Sequence, residues 1–133
     1  MNRWFAVPAV ALFLSILSAG SAKAGTAAYF ATCHFIDQGN DNGGSAMSVP
    51  CYAVEGGNAY SAFFHILWKD GVQTQLNATP SQPFTDIKTG RSYRRVSQDA
   101  FVAETDGDVI VLENAAYTNE RYGVDQPGLA DRL

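Results

Sequence analysis

The chain has 133 residues, 47% of them hydrophobic and 17% charged, with 13 acidic against 9 basic side chains and a formal net charge of −4. That length suits one domain with a modest core. An acidic balance argues against binding that rests on neutralising phosphates, so neither nucleic acid nor an anionic membrane surface is an expected partner.

Residues 1–24 read as a cleavable secretory signal peptide. Arg3 is the basic residue of a short lead-in, and a nearly continuous apolar run follows from Trp4 to Leu17. That run falls short of the roughly 20 apolar residues that a bilayer span requires. Ala22-Lys23-Ala24 then sets alanine at both positions read before cleavage, so the expected cut precedes Gly25. No cysteine stands at the junction to take a lipid, and no later stretch is apolar enough to cross a membrane. The expected location is the periplasm or the external medium, with no stable membrane insertion after cleavage.

Ala27 to Ile36 and Val49 to Val54 read as strands, joined by the Gly-, Asn- and Asp-rich stretch Asp37 to Ser48. The oxygen-bearing side chains between Asp37 and Gly44 invite a calcium reading. Gly39 stands where a ligand belongs and no glutamate closes the loop, so a plain polar loop is expected. Cys33 and Cys51 are the only cysteines, and an isolated pair in an exported chain reads as a disulfide. Closing about 19 residues in this way removes roughly 3 kcal/mol of unfolded-chain entropy. His34 follows Cys33, but strand neighbours face opposite sides, so the two do not make a joint metal site. Neither metal nor cofactor is expected.

From Asn58 to Trp68 the pattern has period two: Tyr60, Ala62, Phe64, Ile66 and Trp68 share a face that reads as core. Lys69-Asp70-Gly71 supplies turn chemistry, and Val72, Thr74 and Leu76 alternate with glutamines on the return. Ala78 to Gly90, rich in Pro, Thr and Ser, reads as a loop, and Arg91 to Val96 as a weaker strand. A second hairpin runs from Ala100 to Glu104 and from Asp108 to Glu113 across Thr105-Asp106-Gly107, with both faces of Val109 to Leu112 apolar. Asn114 to Tyr122 suggests a turn or two of helix, and residues 123–133 a frayed, flexible tail. The sequence therefore predicts a single all-β domain over residues 25–122, a small antiparallel meander or barrel of about seven strands with one disulfide.

No motif with a catalytic mechanism appears, and no catalytic residue is assigned. Ser61 and His65 share a strand face but stand roughly 13 Å apart, too far for a nucleophile and its base. Arg91, Arg94 and Arg95 lie opposite Glu104, Asp106, Asp108 and Glu113 if the strands pair in order, which predicts cross-strand ion pairs. The functional counterpart is a contact surface: Tyr93 beside Arg94 and Arg95 combines an aromatic ring with positive charge on an acidic protein. His65 is the further binding candidate. Trp68 reads as a core residue, with a platform for a sugar as its alternative.

Ile66 to Thr74, with Cys33 and Cys51 upstream and Asp106-Gly107 downstream, resembles small exported bacterial proteins with one disulfide and a Trp-x-Asp-Gly hairpin, which are uncharacterised. The resemblance implies an envelope β domain and no activity. Thr89-Gly90-Arg91-Ser92-Tyr93 and the hairpin through Gly107 are also similar to periplasmic inhibitors of c-type lysozyme, which implies a protruding inhibitory loop. Here Asp106 stands where that family carries a lysine. The expected function is a non-enzymatic periplasmic or secreted binding domain, acting on an envelope or extracellular partner. A lysozyme-inhibitor-like module and a small hydrolase are the alternatives.

Overall fold

Strand alternation closes this chain on itself. The computed structural model describes residues 26–38 and 45–133, so the signal-peptide reading and most of the proposed calcium loop lie outside the described residues. The strands are β1 (Ala27–Asp37), β2 (Ser45–Gly57), β3 (Ala62–Trp68), β4 (Gln73–Thr79), β5 (Gln82–Asp86), β6 (Ser92–Ser97), β7 (Ala100–Ala103) and β8 (Val109–Thr118). Each pairs antiparallel with its neighbours in sequence, and β8 returns to β1, giving a closed eight-stranded barrel in place of about seven strands.

Inward residues follow the period-two pattern. Phe64, Ile66 and Trp68 of β3 are buried with Tyr29, Cys33, Cys51, Ala53, Leu76, Tyr93, Phe101, Ile110 and Leu112. Phe101 packs between Phe64 and Phe84, at ring separations of 4.8 and 5.5 Å. Tyr60, in phase with the same face, falls before β3 begins and is 81% exposed. Cys33 and Cys51 form a disulfide inside the barrel, between β1 and β2, with Cα atoms 5.7 Å apart. It crosses the middle of the two strands rather than their ends, because Cys33 lies opposite Val49 and Cys51 opposite Ala31.

Turn chemistry holds the two expected hairpins. Gly71 and Gly107 take φ of 91° and 80°, a region that side chains with a Cβ disfavour. Asp70 accepts the Val72 amide and Asp106 the Asp108 amide, so each aspartate closes its own turn.

Several segments depart from the sequence reading, and β2 begins at Ser45, within the stretch Asp37 to Ser48 that read as a loop. The Pro-, Thr- and Ser-rich stretch contains β5, whose inward apolar contribution is Phe84, opposite Tyr93. One buried ring is too little alternation to announce a strand. Beyond Glu113 the chain continues as β8 instead of turning helical: Asn114 adopts φ 58°, and a register shift then lets Ala116 and Tyr117 face Phe30 and Tyr29. Asparagine tolerates that conformation, so the bulge interrupts the ladder without ending it.

The tail does not fray. Residues 119–133 fold back over the outer face of β1 to β3, and Val124 and Leu129 are buried against Ala28, Tyr52, Val54 and Leu67. The Tyr52 hydroxyl accepts the Tyr122 amide at 2.7 Å and donates to the Tyr122 carbonyl at 2.9 Å. A short 3-10 turn, Ala130–Arg132, ends the chain, and Lys69 donates to a Leu133 oxygen at 2.7 Å. Val124 and Leu129, with Tyr122, Ala130 and Leu133 packed beside them, thus secure the segment.

Candidate functional site

The two ends of the barrel are built differently. At the end where β2, β4 and β6 finish, Glu55 fills the interior with charge and hydrogen bonds. Tyr29 donates to its Oε2 at 2.6 Å, and Arg95 Nη1 donates to its Oε1 at 3.1 Å. The Arg95 guanidinium also lies over Phe64 and Phe101, 5.0 and 5.3 Å from the ring centres. Tyr117 stands edge-on to Tyr29 at 5.3 Å. Burial, with the Glu55 carboxylate beside it, pushes the Tyr29 hydroxyl well above the ordinary phenol range, so it remains a donor. This end is a plug.

The opposite end, where β1, β3, β5 and β7 finish, is an open mouth. A cavity of about 490 Å³ enters there, between Phe35, Met47, Trp68, Val72, Tyr93 and Ile110. Its size lies in the range of small-molecule sites. Trp68 donates its indole N–H to Thr74 Oγ1 at 2.9 Å, which fixes the ring against the wall. Burial raises the Tyr93 hydroxyl above the usual phenol value; Arg91 opposes the shift and Asp86 reinforces it.

Charge at the mouth is sorted by register. Asp86 and Arg91 meet across the turn from β5 to β6, where the Asp86 amide donates to the Arg91 carbonyl at 2.9 Å. The Arg91 guanidinium is turned onto Asp106 and Asp108, at 2.7 and 3.0 Å. Asp86, only 7% exposed, lines the cavity and accepts the Lys88 amide at 2.8 Å.

The four residues singled out as a binding surface are not brought together. Tyr93 points inward and lines the mouth. Arg94 is exposed on the outside, while Arg95 points inward to the plugged end. Three consecutive residues of one strand thus serve three places, because a strand alternates faces and the barrel separates its ends. His65 sits on the outer face, 2.8 Å from Asn77 Oδ1, with its ring tilted against Phe63 at 5.0 Å. Of the expected arginine ion pairs, Arg91 makes those with Asp106 and Asp108, whereas Arg95 finds Glu55, an acid the ordering of the sequence did not nominate. Asp86 escaped notice because its stretch read as a loop. The Phe84-Thr85-Asp86 alternation is the local sequence signal for it.

Comparisons of the chain with protein-family models, with curated protein sequences and with solved structures give no match. The site therefore stands on its geometry.

A second constellation also bears on chemistry. His34 Nδ1 lies 2.6 Å from Ser48 Oγ, and its Nε2 lies 2.8 Å from Glu113 Oε1, across β2, β1 and β8. The contacts are those of a serine, histidine and carboxylate relay. However, β1 is flanked by β2 and β8, and its backbone N–H groups are committed to those ladders. Among the described residues no free amides stand beside the relay to receive an oxyanion, and none of the three side chains lines the mouth. The triplet reads as a polar clasp across three strands.

Proposed function

We propose that this protein is a non-enzymatic binding domain, exported to the periplasm or the medium, that seats a small ligand in the open mouth of its barrel. The observation that carries the reading is the contrast between the ends: one is filled by Glu55, Arg95 and Tyr29, the other holds a cavity of about 490 Å³ walled by aromatic and aliphatic side chains. An eight-stranded barrel is just wide enough either to be filled by side chains or to hold one small ligand. One end is filled by side chains, and the cavity at the other has room for a ligand. The leader sequence and the disulfide support the exported location.

The test is a small-molecule extract of the cell envelope, titrated into isotope-labelled protein and followed by nuclear magnetic resonance. Shifts should concentrate on the Trp68 indole, Tyr93 and Ile110. Shifts confined to the outer face, around His65 and Arg94, would overturn the reading.

A further inference from the structure

We infer that the mouth takes an organic cation, an alkyl or aryl amine whose apolar body lies against Trp68, Tyr93 and Ile110 and whose ammonium pairs with Asp86. This deepens the proposed function and rests on it. The argument starts from Asp86, a carboxylate that the fold buries at the cavity wall. An ionised carboxyl group has room for about four hydrogen bonds, and an underused one away from water costs free energy. Among the described residues, the hydrogen bond it receives is the one from the Lys88 amide. Its neighbour across the turn, Arg91, is the obvious counter-ion and is held elsewhere by two aspartates. The side chain is thus left facing a cavity with acceptor capacity to spare.

Asp70 and Asp86 line the mouth with Lys88 and Arg91, and Asp106 and Asp108 hold the Arg91 guanidinium, so its charge is already met. Trp68 gives the cavity an aromatic wall for an apolar body, while the Tyr93 ring already carries the Arg91 guanidinium, 5.6 Å from its centre. A primary ammonium brings three donors, and a carboxylate with spare acceptor capacity can pair with it. An anionic ligand would instead lie beside Asp86 and meet an Arg91 whose charge is already shared by Asp106 and Asp108.

Three probes with one apolar body separate these cases: 4-phenylbutylamine, 4-phenylbutanol and 4-phenylbutyrate. Affinity for the full chain is measured by calorimetry, and the Trp68 indole resonance reports whether the probe has entered the mouth. The amine should bind about tenfold more tightly than the alcohol, the order set by one charge-assisted hydrogen bond, and the acid most weakly. Asp86→Asn keeps an oxygen for the Lys88 amide, and should abolish the amine's advantage while leaving the alcohol unchanged. Equal binding of amine and alcohol, or preference for the acid, overturns the amine reading and leaves the mouth as a site for another ligand. An amine advantage that survives Asp86→Asn overturns the pairing with Asp86. The ranking on the unaltered protein requires no variant, so it decides even where Asp86→Asn does not fold. If no probe moves the Trp68 resonance the amine reading falls, and the mouth is judged by the envelope-extract titration alone.

Discussion

Arg94 and Arg95 look interchangeable in sequence, yet they occupy different environments. Arg95 is held by Glu55, by the Gln98 carbonyl and by two aromatic rings, so its loss strips the acid of its cation at the plugged end. Arg95→Met should destabilise the fold by roughly 1 to 3 kcal/mol, since the pair is partly solvated and its full buried value is not reached. Arg94→Glu, on the exposed face, should stay within about 0.5 kcal/mol. Denaturant titration of both variants checks the contrast, and equal effects would refute the assignment. This asymmetry was half legible: period two separates Arg94 from Arg95, but which arginine meets which acid depends on barrel closure. Glu55 lies forty positions away from Arg95, and no local pattern links them.

At the level of elements, legibility followed the strength of alternation. The inner face and turn of β3 were legible because Phe64, Ile66 and Trp68 repeat on one face and Gly71 marks the bend, while Asn58 to Ser61, read as part of the strand, precede it and leave Tyr60 exposed. β5 was missed because Pro83 and two polar neighbours leave Phe84 alone as its apolar inward residue. The tail was misjudged for a related reason: its two anchors, Val124 and Leu129, are spaced without any period. Their partner is the outward face of β1 to β3, where Leu67 is buried beneath them. Leu129 is 1% exposed, so Leu129→Ala should cost about 2 to 5 kcal/mol. A thermal or denaturant melt would show it, and a loss under about 1 kcal/mol would mean that the segment is a loose appendage after all. The site has the same history. Trp68 and Tyr93 stood out as aromatic residues, but the end of the barrel that each would face was fixed only by closure.

For the molecule as a whole, the disulfide is the one covalent constraint on the fold, placed within the apolar interior between β1 and β2. It was read from the cysteine count and an expected export, and the pairing is as expected. Reduction should remove roughly 3 kcal/mol and lower the melting temperature by on the order of 10 °C or more. Calorimetry with and without reductant measures this, and a Cys33→Ala, Cys51→Ala double variant melting within about 2 °C of the oxidised protein would contradict it. The barrel was expected as one of two β architectures, a meander or a closed form, and hairpin signals alone do not choose between them. Closure rests on the pairing of β1 with β8, where Ala28 meets Thr118 and Ile36 meets Val109. All other strand pairings join neighbours in the chain. Assembly therefore proceeds through local hairpins until the final seam, which bears the loop entropy of nearly the entire domain. Before β8 arrives, both flanks of the growing sheet present unpaired backbone, a template on which another unfinished copy would add. The finished cylinder has no such border. Its exposure to misassembly is a matter of timing, confined to the interval before the last strand docks.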